Sequence, residues 1–235
     1  MGSEMCIRDR PMEPIEPSEP PLDSSLQLDN LELERVPLSI PVLQRMIDWT
    51  RLTSLTLLHC QNHEQLWKTL RRSLAPVPRS PTYPQPRRTP TSTPRKNSKS
   101  SSALLEPEFE YRIHLKKLHT NTVSPALITF LKETLAPNTL EVLFLQEARS
   151  YSSSVSIDTI FRGPIRRHRG SLKKILIDSS EKGVDGLPTN SSRWRRWMLG
   201  REVLGFLCSS RMPALRELGC ALDYRDWVSH LLQSS

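Results

Sequence analysis

Six windows along the chain share one spacing: an apolar residue, two intervening, a second apolar, one intervening, a third, two more, then a small or polar position. They are Leu28, Leu31, Leu33, Val36; Leu52, Leu55, Leu57, Cys60; and Leu115, Leu118, Thr120, Val123. The others are Leu140, Leu143, Leu145, Ala148; Leu172, Ile175, Ile177, Ser180; and, more loosely, Leu215, Leu218, Cys220, Asp223. The i, i+2 pair inside each window has the period of a short strand with one side buried and the residues between facing out. A single strand of this kind has nothing to bury its apolar side against, so several must stack into one shared core.

Between the windows the apolar period changes to that of helices. Ser39 offers an N-cap and Pro41 an early helical position, and Val42/Leu43 with Met46/Ile47 form i, i+4 pairs. Asn62 offers a cap for a helix with Leu66, Trp67 and Leu70 on its buried stripe, closed by Arg71 and Arg72, whose charges suit a C-terminus. Ser124-Pro125 starts a helix through Leu127, Ile128, Leu131 and Leu135, and Pro137-Asn138 ends it. Ile157, Ile160 and Phe161 predict a short helix interrupted at Gly163-Pro164. Ser192 opens the longest expected helix, with Trp194, Trp197/Met198, Leu204 and Leu207 inward. Strands alternating with helices predict an α/β fold: an irregular solenoid of βα repeats, its parallel sheet on the concave face. The window at 52–60 fits the leucine-rich-repeat consensus best, down to a Cys at the ladder position.

The pattern divides the chain. Residues 1–10, MGSEMCIRDR, read as a translated sequencing-adapter scar, and 11–25 as a disordered linker, rich in Pro and Glu. Repeat units 1 and 2 occupy 26–74, and units 3–6 occupy 109–235, where the chain reads as C-terminally truncated. Between them, 75–108 is expected to be a disordered insertion rich in Pro, Ser, Thr and Arg. Leu28 and Leu52 are 24 positions apart, whereas Leu52 and Leu115 are 63 apart, so the insertion belongs on the rim of one repeat.

Charge sharpens this division. The net charge is +8, and Arg79, Arg87, Arg88, Arg95, Lys96 and Lys99 all lie in the insertion, with no acid among residues 75–102. Such blocks mark tails and inserts more than a basic groove. Ser80, Thr89 and Thr93 each precede Pro there and are candidate phosphorylation sites, where phosphate would reduce the positive charge. A second cluster holds Arg162, Arg166, Arg167, Arg169, Lys173 and Lys174, and Arg193, Arg195 and Arg196 interleave with Trp194 and Trp197. Aromatic-plus-arginine surfaces suit single-stranded nucleic acid. Here the tryptophans fall on an inward stripe, which ranks nucleic acid below a protein partner.

The four Cys have no disulfide-framework spacing, and three lie in apolar patterns, as expected in a reducing compartment. No apolar run approaches the roughly 18–20 residues of a membrane span. The expected address is cytoplasm or nucleus, with no membrane partner. Cys60-Gln-Asn-His63 is the nearest approach to metal-ligand spacing and lacks the second pair that a four-ligand zinc site needs. No phosphate loop, nucleophile elbow or zinc-protease motif occurs, so a non-enzyme is expected, with no catalytic, cofactor-binding or metal residue and no cofactor.

If the window leucines face the core, the residues between and beside them line the concave sheet. The expected partner-binding residues are Leu58, Lys117, His119, Val142, Phe144, Gln146, Lys174, Leu176 and Asp178, with Asn121 beside them. Leu58, Phe144 and Leu176 read as an apolar stripe on the solvent side, with Phe144 its aromatic anchor; such a stripe either meets a partner or is covered by a neighbouring loop such as the insertion.

Residues 52–72 (LTSLTLLHCQNHEQLWKTLRR), 121–182 and 192–227 resemble the leucine-rich-repeat part of filamentous-fungal F-box proteins, and the resemblance spans most of 26–232. It implies that the repeats hold a protein substrate for ubiquitin ligation. In that family an N-terminal F-box docks on the adaptor of a cullin-type ligase, and nothing before Leu28 has the helical Leu/Pro pattern of that module. The alternative is a repeat scaffold without a ubiquitin connection.

Overall fold

The computed structural model describes residues 25–79, 108–147, 155–179 and 194–222. In chain order these form β1 (Asn30–Glu34), α1 (Ile40–Met46), β2 (Ser54–Leu58), α2 (His63–Ser73), β3 (Val77–Pro78) and β4 (Phe109–Glu110). They continue with β5 (Lys117–Thr120), α3 (Pro125–Glu133), β6 (Val142–Gln146), α4 (Ile157–Ile160), β7 (Lys174–Asp178), α5 (Arg201–Leu207) and β8 (Glu217–Cys220). Six strands form one sheet in the order β1-β2-β5-β6-β7-β8, each parallel to its neighbours, and with the helices make an α/β fold.

The repeated spacing sets the register. Leu31, Leu55, Leu118, Leu143, Ile175 and Leu218 are successive partners across the sheet, as are Leu33, Leu57, Thr120, Leu145, Ile177 and Cys220. On the four central strands these residues are at most 1% exposed, whereas Leu31, Leu33, Leu218 and Cys220 on the two edge strands are only partly buried. An edge strand has a neighbour on one side only, so its leucines lose half their cover. Leu52, Leu115, Leu140 and Leu172, which open their windows, join the same core. Each fully buried Leu contributes roughly 1.5–3 kcal/mol relative to exposure.

The helices supply the other side of the core. α2 buries Leu66, Trp67 and Leu70, and α3 buries Leu127, Ile128, Phe130 and Leu131. The rings of Trp67 and Phe130 meet at 5.2 Å, joining the two helices. Ser124 caps α3 as expected: its hydroxyl oxygen accepts from the Leu127 N–H at 3.3 Å, with Pro125 following.

Other helical expectations are corrected. Val42 and Met46 face solvent, and α1 buries none of its residues; of the two pairs only Leu43 and Ile47 turn inward. Neither Ser39 nor Asn62 makes a side-chain cap bond. Asn62 serves through its left-handed backbone, φ 61°, which Asn tolerates better than most residues. The break expected at Gly163-Pro164 is there: Gly163, at φ −85° and ψ −105°, is non-helical and kinks the stretch Phe161–Ile165 that follows α4. A Cβ on Gly163 would lie 3.1 Å from Ile128 Cγ2, so glycine allows α3 to approach this closely. The long helix expected from Ser192 is two pieces, a 3-10 turn at Trp194–Trp197 and then α5, after Gly200. Val203, Phe206 and Leu207 are buried there, while Met198 and Leu204 are half-buried. The Trp197 indole donates to the Val155 carbonyl at 2.9 Å.

Side chains brace the turns that follow the strands. Asn121 Oδ1 accepts from the His59 N–H at 2.7 Å, and Glu147 Oε2 from the Val123 N–H at 3.3 Å. The buried Cys60 thiol points at the Leu33 carbonyl, 3.3 Å away. His168, fully buried, accepts from the Thr139 and Leu140 N–H groups at Nδ1 (3.3 and 3.4 Å), with Nε2 3.4 Å from the Leu131 carbonyl.

Part of the segment expected to be disordered is ordered. Val77 and Pro78 pair antiparallel with Phe109 and Glu110, and the Arg79 N–H donates to the Glu108 carbonyl at 2.7 Å, so β3 and β4 clamp its two ends together. Its remainder, 80–107, lies outside the described residues with Ser80, Thr89 and Thr93, as do residues 1–24. Among the described residues no helix is long and apolar enough to cross a membrane.

Candidate partner-binding face

On the face of the sheet opposite the buried rows, the outward positions also align. The first row is Asn30, Ser54, Lys117, Val142, Lys174, Glu217; the second is Glu32, Thr56, His119, Phe144, Leu176, Gly219. Toward the carboxyl ends of the strands, Glu34 pairs with Leu58, and Gln146 with Asp178. All nine residues expected to bind a partner are thus on one face, Lys117 exposed and the other eight half-buried.

Two details differ from expectation. Leu58 is not in line with Phe144 and Leu176: it belongs to the last row, with His119 on the strand between. The apolar seat is therefore compact, made by the adjacent Phe144 and Leu176 with Val142 beside them in the first row. Asn121 does not face outward either. It lies just beyond the end of β5, is 4% exposed, and spends its carboxamide on the His59 N–H.

The seat has a built rim. The His119 ring meets Phe144 edge-on, centroids 5.7 Å apart at 84°, and its Nε2–H donates to Gln146 Oε1 at 3.1 Å. That bond holds the imidazole in place beside the half-buried Phe144. On the other side Leu176 leans over Gly219, where a Cβ would come within 2.6 Å of Leu176 Cδ1. Gly219 reads from the spacing as outward-facing but is not among the nine expected binding residues; a glycine inside a strand pattern is the signal of such a close approach. Charge is graded across the face: Glu32 and Glu34 on β1, Lys117 and Lys174 in the middle, and Glu217 on β8. Lys174 is paired with Glu217 at 2.7 Å, and Glu34 lies 3.6 Å from Arg35 with both side chains mostly exposed.

The basic cluster read from the sequence does not form one free patch. Arg166 lies over the rings of Phe161 (5.4 Å) and Phe206 (5.7 Å), and Arg167 donates to the Leu135 carbonyl and the Tyr111 hydroxyl. Lys173 is bonded to Glu141 at 2.7 Å, which holds the Glu141 carboxyl below the usual carboxylate range. On the helical side, Lys132, Glu133, Asp158 and Arg162 line an open cleft whose opposite charges cancel. Among the described residues no group of three His, Cys, Asp or Glu is placed to hold a metal.

Comparisons of the chain with protein-family models, with curated proteins and with solved structures returned no match.

Proposed function

We propose that the chain is a leucine-rich-repeat solenoid that captures a protein partner on the concave face of its sheet, as the substrate-receptor part of the fungal F-box proteins it resembles would do. The observation that carries this reading is the seat formed by Phe144 and Leu176, in register, rimmed by His119, and on the side of the sheet away from the helices. An aromatic anchor in a half-desolvated setting is the usual centre of a binding hot spot. The consecutive order of parallel strands supports the solenoid, since each unit then packs only on its neighbours.

The same order favours binding over catalysis. Open α/β sheets hold small ligands where the strand order reverses, at the carboxyl ends of the strands. No reversal occurs among the described strands, and Asn121, Thr122 and Glu147 are buried in the turns at that end. The ubiquitin connection rests on the likeness of the repeats, and engagement of a cullin-type adaptor requires an F-box joined to them.

The test is Phe144→Arg. Tagged wild-type and variant chains are exposed to a native lysate, and the variant is expected to lose the proteins that wild type retains, with an unchanged far-UV spectrum and denaturation midpoint. Equal retention by a folded variant would refute the reading.

A further inference from the structure

The outward rows carry information about what kind of segment would lie on them. The second row begins with Glu32 on β1, and Glu34 follows in the same strand, both exposed. It passes the uncharged Thr56 and His119 to reach Phe144 and Leu176, and ends at Gly219, over which Leu176 folds. The two edges therefore differ: the acids on β1 are exposed, with only Arg35 3.6 Å from Glu34, the acid on β8, Glu217, is paired with Lys174, and the apolar seat lies between. The middle cation of the face is Lys117 in the first row, since Lys174 is occupied by Glu217.

We propose that this face takes an extended polypeptide segment running across the strands, with a large apolar side chain on Phe144 and Leu176 and a Lys or Arg reaching Glu32 and Glu34. The proposal rests on the partner-capture reading above and adds the chemistry of the partner. Glu32 and Phe144 are three strand spacings apart, roughly 14 Å, which an extended chain covers in about four residues. The motif is thus an apolar anchor and a basic residue about four positions apart. Placed this way, the segment keeps its cation clear of Lys117, one row over and two strands in. The same acids disfavour a nucleic-acid occupant, whose phosphates they would repel.

A random peptide library displayed on phage is panned on the full chain, on a Glu32→Lys/Glu34→Lys variant and on Phe144→Arg, each confirmed folded by far-UV circular dichroism. The expected wild-type consensus has a large apolar residue and Lys or Arg three to five positions away. Reversing the two edge charges should weaken the selected peptides roughly tenfold at low salt, as two exposed charge contacts allow, and should bring acidic residues into the consensus. Phe144→Arg should enrich nothing. An apolar consensus without charge preference, lost on Phe144→Arg, would overturn the basic-segment assignment while leaving capture at this face standing. Equal enrichment on Phe144→Arg, or none on wild type, would overturn both. Displacement of the selected peptide by a single-stranded oligonucleotide would also overturn it, pointing to nucleic acid instead.

Discussion

His168 is a histidine that the fold needs neutral. It is buried, and its Nδ1 takes two backbone N–H groups from the segment entering β6. Burial holds its pKa down at about 4 against an ordinary 6.5, helped slightly by Arg167 alongside and opposed by the bond to Leu131. As pH falls through 6.5 the unfolded chain takes up the proton first. Stability from this residue is therefore complete above about pH 6.5 and is lost progressively down to about 4, where the loss is on the order of 3 kcal/mol. The Asp48 carboxyl, held low by its bonds to Thr50, and the Glu141 carboxyl, held low by Lys173, lose their stabilisation only as pH falls through their ordinary values of 3.8 and 4.5, so they do not account for a fall between pH 6.5 and 4.5. Urea denaturation of wild type should show a falling midpoint from pH 6.5 to 4.5, and His168→Gln, which cannot titrate, a flatter profile. Parallel profiles would dismiss His168 as the source. None of this was legible in the sequence, because the partners of His168 are backbone groups, which residue spacing does not encode. Asn121 was misplaced for a related reason: the period-two reading was carried one residue past the end of β5, into a turn where alternation no longer holds.

Among the elements, strands were far more legible than helices. A strand residue's environment follows from parity, so Leu31 through Leu218 and Leu33 through Cys220 could be assigned inward from spacing alone. The helices answer to longer-range packing. α1 has two apolar pairs but only one neighbouring surface, so Val42 and Met46 stay in solvent. Gly163-Pro164 was legible as an interruption, and Gly163 is non-helical there, but its close approach to Ile128 was not, because that depends on how α3 packs. The difference between central and edge strands yields a quantitative expectation. Leu143→Ala, in a fully covered position of β6, should cost about 2–5 kcal/mol. Leu33→Ala, on the half-covered β1, should cost about half as much or less. Chemical denaturation of the two variants measures this, and equal losses would mean that β1 is as enclosed as β6, contrary to the register described.

For the whole molecule, the six windows carried the order, direction and register of the sheet, because repeating the same side-chain spacing in consecutive βα units allows each strand to pair with the one before it. The outward face was legible as a set of residues but not as an arrangement, since which of them stand side by side depends on register between strands. That register is what makes Phe144 and Leu176 a seat and sets Leu58 apart from it. Hydroxyl-radical footprinting of the wild-type chain, alone and bound to a protein it retains and Phe144→Arg does not, tests the central claim most directly. Capture on the face of the sheet away from the helices predicts that Phe144, Leu176 and His119 become protected while Val42 and Met46, on the helical side, stay as reactive as before. Protection of Val42 and Met46 with Phe144 and Leu176 unchanged would contradict it.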